Sequence, residues 1–314
     1  MVRHDPRLRP EASAKDPLDG AIGMLPSTSF RHTESLPDEL SALVRALDET
    51  VASADVCRSL AAHLPATPEY FANALIDIGV AADASGCENA YHNPAHSRDV
   101  GIIFANLMRL QAFLRSGSSL PDSEDLLTGC CAAFGHDVGH DGQDGGEAFR
   151  LEKIAADRVG AIMEHHTVDP HLIERAYCAI MATEVTNGYR ALDEAGRGPL
   201  PPDIPGCLHG LAGRKNCEVA RLLRDADVLQ SAGLTPEDHD RQTARLEAER
   251  GIPQHSMGAR GADFFLKDLI RGRFLSDAGY VFQPRLDSLL SLNALRARSG
   301  RHAGLADLGV ATKK

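Results

Sequence analysis

The sequence lacks the features of a membrane or exported protein. Its 314 residues include no tryptophan and only 5% aromatic residues, and no apolar run comes near the roughly 20 residues of a membrane-spanning helix. The N-terminal segment MVRHDPRLRPEASAKDPLDG has no apolar core of the kind that a signal peptide needs. The sequence therefore predicts no membrane association and a cytoplasmic location.

Paired cysteines and an excess of positive charge are missing as well. The seven cysteines are an odd number without a C-x-x-C pair, which argues against a disulfide framework or a zinc ribbon and predicts reduced thiols. Lys and Arg total 33 against 44 Asp and Glu, a formal charge of −11, and this balance argues against binding nucleic acid or an anionic membrane surface. A small phosphate ester is compatible with this acidic balance if a bound metal neutralises the charge of the ester locally.

Alternating strand patterns are almost absent, and apolar residues recur at helical spacing from Leu36 onwards. The predicted fold class is all-α, a single compact domain of many helices. We expect a disordered arm over residues 1–35, the helical domain over residues 36–302 and a flexible tail over residues 303–314. The Gly- and Pro-rich stretch 193–216 predicts a surface loop or lid. Ser97 and Gly117 are the expected cap and stop of one long helix.

Residues of the types that bind metal concentrate in three segments. His92 and His96 in AYHNPAHSRDV are four residues apart, so a helix through them would carry both imidazoles on one face. His136 and His140 in AAFGHDVGHDG repeat that spacing, and Asp137 stands between them. A single histidine on an amphipathic helix is more often a surface or core residue. Two such pairs with an aspartate inside one of them indicate a metal site.

The third segment, LLRDADVLQSAG, holds Asp227 inside an apolar run, where an unpaired carboxylate would be costly. Asp225 lies two residues earlier on another face of the helix, and we expect it to be solvent-exposed. Zinc accepts imidazole and carboxylate ligands, and a hard divalent cation prefers carboxylate oxygen. Two neighbouring ions can clamp the oxygens of a phosphoryl centre, and a nearby histidine can protonate the leaving oxygen. The three segments therefore predict a centre for divalent ions.

These segments resemble, in order, the motifs of a known enzyme family. YHNPAHSRDV is similar to the Y-H-N-x-x-H-A-x-D-V signature of class I cyclic nucleotide phosphodiesterases, and GHDVGHDG is similar to the HD-x-x-H-x-G of that branch of the HD-domain phosphohydrolases. MATEV resembles the family's A-T-D-M, and RDADVLQ stands where the family has H-C-A-D-L-S-N. RLEAERGIP resembles its E-R-G-x-x-x-x-P stretch. The resemblance covers roughly Tyr91 to Ile270.

The resemblance implies a fold and a reaction. Residues 36–302 would be the all-α catalytic domain of a metal-dependent phosphodiesterase, with a small-molecule 3′,5′-cyclic nucleotide, cAMP or cGMP, as substrate. A metal-bridging hydroxide would attack phosphorus and give the 5′-nucleotide. An HD-type phosphohydrolase acting on another phosphodiester or on a phosphomonoester is the alternative, and a metal-stabilised binding protein without turnover is a third interpretation. The sequence carries no signal for an oligomeric state.

The resemblance also implies the roles of the residues at the ions. Four residues would bind the first metal, typically Zn²⁺: His96, His136, Asp137 and Asp227. Asp137 would also bridge to a second ion, typically Mg²⁺ or Mn²⁺. His92 would be the general acid that protonates the ribose O3′ leaving group.

Five further positions match the surroundings of the ions and of the substrate. His140 and Thr183, and Glu164 with a shift of one residue, match positions that hold the water ligands of the ions. The family has a glutamine three residues before a base-stacking phenylalanine. In ARGADFFLKDLI the glutamine position holds Ala262 if the phenylalanine position is Phe265, and it holds Gly261 if that position is Phe264. Gln230, at the family's asparagine position in the third segment, would substitute in part and contact the substrate.

Overall fold

The computed structural model describes residues 16–47, 50–64, 67–143, 147–195, 199–212, 214–253, 266–267 and 270–307. Within these ranges the chain forms twelve α-helices, three 3₁₀ helices and no β-strand, which confirms the all-α prediction. The α-helices are α1 Leu36–Ala46, α2 Ser53–His63, α3 Glu69–Asp83, α4 Pro94–Ser116, α5 Ser123–Gly135, α6 Arg150–His165, α7 Pro170–Met181, α8 Asn187–Ala195, α9 Arg214–Ala232, α10 Pro236–Glu249, α11 Asp277–Tyr280 and α12 Gln283–Asp307. The 3₁₀ helices are Pro17–Gly20, Ser27–Arg31 and Gly206–Ala212.

The central helix is α4, whose residues from His96 to Gln111 are all buried and which packs against both α5 and α9. Asn93 caps it, because its side-chain oxygen accepts a hydrogen bond from the backbone N–H of His96 at 3.1 Å. The expected cap at Ser97 is therefore wrong, since Ser97 lies inside the helix. Gly117 ends α4 with a φ of 73°, as the sequence predicts. The Asn93 cap leaves His92 just before the helix and His96 in its first turn.

Two glycines let α4 and α5 approach each other closely. A Cβ on Gly129 of α5 would lie 2.0 Å from the ring of Phe104 on α4, and a Cβ on Gly101 of α4 would lie 2.5 Å from the ring of Phe134 on α5. Each phenylalanine thus occupies the space that a side chain on the other helix would need. This reciprocal packing brings the C-terminus of α5, where His136 follows, next to the start of α4.

Residues 16–35 are not the disordered arm that the sequence predicts. The 3₁₀ helices Pro17–Gly20 and Ser27–Arg31 pack on α4 and bury four apolar side chains: Leu18, Met24, Leu25 and Phe30. The Asn106 side chain on α4 bonds to the backbone of this segment, accepting from the N–H of Leu25 and donating to the carbonyl of Gly23. The segment is too short and irregular to show helical periodicity in the sequence, which explains the wrong prediction. Residues 1–15 lie outside the described residues.

Arg109 of α4 anchors this N-terminal segment. Its guanidinium group is fully buried and donates to Asp16 Oδ2 at 2.6 Å and to Asp19 Oδ1 at 2.7 Å. The Ser119 hydroxyl donates a further hydrogen bond to Asp16. Burial alone would raise the pKa of Asp16, but the hydrogen bonds from Ser119 and Arg109 hold it below its ordinary value. The segment is therefore fixed by a buried ion pair as well as by apolar packing.

We expect Arg109→Met to lower the free energy of unfolding by about 3–5 kcal/mol, because it leaves two carboxylates without their buried partner. Urea denaturation of the purified chain measures this change. The matched control is Arg58→Met, which removes an exposed ion pair with Asp55 and should cost less than about 1 kcal/mol. Equal effects of the two variants would show that the Arg109 ion pair does not hold the segment.

The structure also changes the predictions for the C-terminal tail and for the stretch 193–216. The flexible tail expected over residues 303–314 begins inside α12, which continues to Asp307, and residues 308–314 lie outside the described residues. In the stretch 193–216, Leu208 and Leu211 of the 3₁₀ helix Gly206–Ala212 are fully buried, and this helix packs against α7 and α9. This part of the stretch belongs to the core and does not line the cleft described below, which argues against a lid.

The structure also bears on the membrane and cysteine predictions. In the part of the chain that is described, no helix combines the length and the apolar character needed to cross a membrane. Six cysteines have described side chains, and no disulfide joins any of them: Cys57, Cys87, Cys130, Cys131, Cys178 and Cys217. All but Cys87 are buried, which is consistent with packing roles.

Candidate active site

A cleft of about 220 Å³ opens where several helices meet. The start of α4, the residues after α5, and parts of α9 and α10 line it. The cleft brings together seven of the predicted site residues: His92, His96, His136, Asp137, His140, Thr183 and Asp227. These residues come from positions that are more than 130 residues apart in the sequence, so only the fold unites them.

The His-Asp motif lies in a turn and not on a helix. His136 is the first residue after α5, and the backbone N–H of His140 bonds to the carbonyl of Asp137 at 2.9 Å. Gly139 between them has a φ of 93°, a conformation that residues with a Cβ rarely adopt. The four-residue spacing of His136 and His140 therefore does not place both rings on one helix face. The turn instead directs His136 and Asp137 toward His96.

Four potential ligand atoms of the cleft form a compact cluster. His96 Nε2 lies 3.2 Å from His136 Nε2, 3.1 Å from Asp137 Oδ2 and 3.7 Å from Asp227 Oδ1. His136 Nε2 lies 3.4 Å from Asp137 Oδ2 and 4.0 Å from Asp227 Oδ1. Four tetrahedral ligands at about 2.0–2.2 Å from one ion would be separated by about 3.3–3.6 Å. The atoms of His96, His136 and Asp137 are therefore spaced as ligands of one ion would be, and Asp227 Oδ1 lies at 3.7 and 4.0 Å from the two imidazole nitrogens.

Hydrogen bonds behind the two histidines leave the correct nitrogen free for a metal. The Nδ1–H of His96 donates to Gln230 Oε1 at 2.7 Å, and the Nδ1–H of His136 donates to the carbonyl of Ala133 at 2.8 Å. Each Nε2 then carries a lone pair that points into the cluster. A backbone or side-chain acceptor behind the ring is the usual way in which proteins orient a metal-binding histidine.

The charges in the cluster favour the binding of a cation. Asp137 Oδ2 is buried and accepts no hydrogen bond from the described residues, although it faces two imidazole nitrogens. Burial alone would lower the pKa of His96, but its close contact with the Asp137 carboxylate and the charges of Asp137 and Asp227 raise it to about 9. In the absence of a metal, the site therefore attracts a proton. The residues present fit a divalent cation, which would satisfy the lone pairs of His96, His136, Asp137 and Asp227 at once.

Asp227 is held by groups on both of its oxygens. The hydroxyl of Ser231 donates to Asp227 Oδ1 at 3.4 Å, and the hydroxyl of Tyr91 donates to Ser231 at 2.6 Å. The guanidinium of Arg224, one turn earlier on α9, is fully buried with its Nη1 3.5 Å from Asp227 Oδ2. These contacts fix the carboxylate so that Oδ1 faces His96 and His136.

His92 is oriented by a carboxylate from the end of α10. Its Nδ1–H donates to Glu249 Oε1 at 2.5 Å, while the backbone N–H groups of Tyr91 and His92 donate to Glu249 Oε2 at 2.7 and 2.8 Å. Burial would raise the pKa of Glu249, but the hydrogen bonds from His92 and its charge lower that pKa to about 2. Sequence reasoning matched the segment RLEAERGIP to a family motif but gave Glu249 no role. A carboxylate in a matched motif is the signal that could have identified it.

The ring of His140 stacks on that of His92, with centroids 3.8 Å apart and planes 15° from parallel. His140 Nδ1 accepts the backbone N–H of Gly142 at 3.0 Å, and burial together with the charge of His92 lowers the pKa of His140 to about 4. His140 is therefore a neutral donor through Nε2. Although His92, His140 and Glu249 lie within reach of one ion, a metal lies close to the plane of a ligating imidazole, and no single ion can lie in two stacked, parallel planes.

Carboxylates also gather beside Asp137 in the cleft. Glu152 of α6 lines the cleft together with Thr183, and burial, with the nearby charges of Glu184, Asp137 and Asp227, raises the pKa of Glu152 to about 7. Hard divalent cations prefer oxygen ligands and retain water. This oxygen-rich side of Asp137 suits a second ion bound largely through water. Glu152 carried no motif and was missed in the sequence.

No protein-family profile matches the sequence, and no curated protein does. Solved structures do match. The phosphodiesterase domain of the RhoPDE fusion protein from the choanoflagellate Salpingoeca rosetta has a TM-score of 0.53 and 15% identity over 84% of this chain and 93% of that chain. A second structure, of the phosphodiesterase domain of Salpingoeca rosetta rhodopsin phosphodiesterase, has a TM-score of 0.53 and 14% identity over 86% of this chain and 91% of that one. LmjPDEB1 in complex with IBMX has a TM-score of 0.50 and 16% identity over 87% of this chain and 91% of that chain.

This chain has the phosphodiesterase-domain fold. The matches span most of this chain and nearly all of each solved domain, so the likeness extends well beyond one helical bundle. The fold resemblance expected from the sequence motifs is thereby confirmed.

Two predicted site residues, Glu164 and Gln230, do not line the cleft. Glu164 is exposed near the end of α6 and does not line the cleft. Gln230 is buried behind His96 and also does not line the cleft, so we assign it an orienting role instead of the predicted substrate contact. Phe265 lies outside the described residues.

Asp225 is buried, although the sequence suggested solvent exposure. It accepts hydrogen bonds from the backbone N–H groups of Leu275 and Ser276 at 2.9 and 2.8 Å and from the Ser276 hydroxyl at 2.6 Å. Burial raises its pKa to about 6 despite these hydrogen bonds. Asp225 thus faces away from the metal cluster, as its spacing from Asp227 predicted. It is not exposed to solvent, because the segment before α11 covers it and donates these hydrogen bonds.

We expect Gln230→Leu to weaken metal binding about 10- to 100-fold, because the Nδ1–H of His96 loses the acceptor that orients the ring. Titration of the chelator-treated protein with Zn²⁺ in a metal buffer measures the affinity. Gln230→Glu keeps an oxygen acceptor at that position and should restore most of it. A large rise in the KM for substrate at saturating metal, with unchanged metal affinity, would instead support a substrate contact.

Proposed function

We propose that this protein is a metal-dependent phosphodiesterase that hydrolyses a 3′,5′-cyclic nucleotide, cAMP or cGMP, to the 5′-nucleotide. The observation that carries the proposal is the position of the His92–Glu249 pair in one cleft with His96, His136 and Asp137, whose ligand atoms lie close enough together to hold a metal ion. A proton donor next to a divalent-metal centre is the combination that cleavage of a phosphodiester needs. The phosphodiesterase-domain fold supports the same reaction class.

Two divalent ions are part of the proposal. His96, His136, Asp137 and Asp227 would hold the first, which we propose is Zn²⁺ because imidazole and carboxylate satisfy its tetrahedral preference. The second, Mg²⁺ or Mn²⁺, would share Asp137 and be held through water on the side of Thr183 and Glu152. Bound there, the ions would neutralise the phosphate and lower the pKa of the attacking water.

His92 handles the proton of the leaving group. As the new P–O bond forms and the P–O3′ bond breaks, negative charge develops on the ribose O3′, and the imidazolium of His92 donates its Nε2 proton there. Glu249 holds the ring through Nδ1 and stabilises the positive charge that the donor needs before the transfer. His140, stacked on His92, stays neutral and offers its Nε2–H to oxygen atoms within the cleft.

The shape of the cleft agrees with a nucleotide. Apolar side chains line it away from the metal ligands: Leu151, Val185 and Leu246. A flat heterocycle with polar edges suits such walls, whereas an inorganic or purely charged ester would leave them uncovered. LmjPDEB1, which shares the fold, is complexed with the small molecule IBMX. That complex supports a small-molecule substrate for this chain.

Turnover of a substrate panel tests the proposal. The purified protein is assayed with cAMP, cGMP, the aryl ester bis(p-nitrophenyl) phosphate and p-nitrophenyl phosphate, each with Zn²⁺ plus Mg²⁺ or Mn²⁺. We expect release of 5′-AMP or 5′-GMP, seen by chromatography. Cleavage of the aryl esters alone would favour an HD-type phosphohydrolase with another substrate. Metal binding without any turnover would favour a binding protein, for which His92 and Glu249 would have no purpose.

A further inference from the structure

Arg224 is a buried arginine whose guanidinium makes no hydrogen bond within the described part of the chain. The residue lies on α9, three positions before Asp227, and is only 1% exposed. Its Nε, Nη1 and Nη2 atoms are all buried, and none of them has a hydrogen-bond partner among the described residues. A guanidinium removed from water without replacement hydrogen bonds lowers stability, and such groups are rare in native proteins. Packing alone therefore does not explain Arg224.

Two other buried arginines show how this chain uses the residue for structure. Arg109 donates hydrogen bonds to two carboxylates of the N-terminal segment and to a backbone carbonyl. Arg175 of α7 donates one to Asp125 of α5. In both cases the charge is bound to the group that it stabilises. Arg224 lacks such a bond, so its role differs from theirs.

The charge of Arg224 acts on a proposed metal ligand. Its Nη1 lies 3.5 Å from Asp227 Oδ2, while Asp227 Oδ1 faces His96 Nε2 at 3.7 Å. Asp225 also experiences this charge, but it accepts its hydrogen bonds from the segment before α11. The guanidinium therefore influences the metal cluster through its charge and not through a hydrogen bond.

This charge changes the electrostatic balance of the cluster. Asp137 and Asp227 carry two negative charges, and the imidazoles of His96 and His136 are neutral when they bind a metal. Arg224 offsets one of the negative charges, so the centre with bound ions is one charge more positive than its ligands alone would make it. Because the guanidinium is buried, solvent and salt screen its charge weakly.

We propose that the positive charge of Arg224, acting through Asp227, weakens binding of the first metal ion and strengthens binding of the anionic phosphodiester. This inference rests on the proposed function, since it takes the ion and the ester to bind at this cluster. A fixed positive charge disfavours a cation nearby and favours an anion, so its two effects have opposite signs. A side chain that only kept Asp227 in place would favour both ligands.

Arg224→Met removes the charge and keeps a long side chain. Titration of the chelator-treated protein with Zn²⁺ in a metal buffer measures the metal affinity, and steady-state kinetics at saturating metal measure the KM for the better of cAMP and cGMP. We expect the dissociation constant for Zn²⁺ to fall about tenfold and the KM to rise about tenfold, because one buried unit charge acts on both ligands. Arg224→Lys keeps the charge and should stay within about threefold of the unmodified protein in both measurements.

Arg175→Met is the matched control, because it removes a buried guanidinium that does not line the cleft and should change neither value. Arg224→Gln is a second neutral variant if Arg224→Met fails to fold. Weaker or unchanged Zn²⁺ binding in the neutral variants would overturn the role of Arg224 and leave the proposed function standing. Zn²⁺ binding by the unmodified protein without cyclic-nucleotide turnover would overturn the proposed function, and the Zn²⁺ affinities would still decide the effect of Arg224 on the ion. Absence of Zn²⁺ binding by the unmodified protein would overturn both.

Discussion

We expect Asp137→Asn to remove bound divalent metal and to lower the rate of hydrolysis by a factor of about 10³ or more. None of the described residues donates a hydrogen bond to the buried Oδ2 of this carboxylate, which lies 3.1 and 3.4 Å from the two imidazole nitrogens. An amide has the same shape but lacks the negative charge, and it can present its NH₂ group where the ion should bind. Metal content by elemental mass spectrometry and turnover of cAMP, measured on one preparation, check both effects.

Asp141→Asn is the matched control. Asp141 lies four residues further along, in the same motif, but its side chain is exposed and pairs with Arg150 outside the cleft. The same chemical change there should leave metal content and activity within about twofold, because exposed ion pairs contribute little. Full metal content in Asp137→Asn would contradict the ligand set. Loss of metal in both variants would indicate that the substitutions disturb the turn after α5, and it would not identify Asp137 as a metal ligand.

The group of potential metal ligands could be predicted from the sequence because its residues lie in short motifs. Two histidine pairs at four-residue spacing and one aspartate in an apolar run are unusual enough to indicate ligands without a structure. The helical fold was predictable for a similar reason, since apolar periodicity extends over most of residues 36–302. What the motifs could not provide is geometry. The repeated four-residue spacing of His136 and His140 does not reveal that the chain turns at Gly139 between them.

Other features depend on contacts between distant segments, which leave little trace in local pattern. Residues 16–35 look irregular in sequence, yet Arg109 fixes this segment through Asp16 and Asp19, which are 93 and 90 positions away. Asp225 looks like a surface residue of α9 until the segment before α11 donates three hydrogen bonds to it. Gln230 was assigned to the substrate because its motif position suggested it, whereas the fold places it behind His96. In each case the missing information is which element covers a given helix face.

His92→Ala should slow cleavage of cyclic nucleotides about 10²- to 10⁴-fold while cleavage of bis(p-nitrophenyl) phosphate changes only a few-fold. The difference arises because a ribose alkoxide needs a proton as it leaves, whereas p-nitrophenolate is stable without one. Bound metal should stay at its original level, since His92 Nδ1 is engaged by Glu249 and the ring is not one of the four proposed ligands. Steady-state kinetics with both esters, on preparations of measured metal content, provide the comparison.

Glu249→Gln tests whether His92 acts as the general acid alone or together with Glu249. The amide oxygen can still accept the Nδ1–H of His92, but it no longer stabilises the imidazolium, so we expect a loss on cyclic nucleotides smaller than that of His92→Ala and again little loss on the aryl ester. His171→Ala, which changes an exposed histidine at the start of α7, is the control and should affect neither substrate. If His92→Ala slows both esters equally, the ring positions substrate or metal and a different group must deliver the proton. If Glu249→Gln slows cyclic-nucleotide cleavage more than His92→Ala does, the carboxylate has a role beyond orienting the histidine. The hydrogen bonds that it accepts from the backbone of Tyr91 and His92 would then be the contacts to test next.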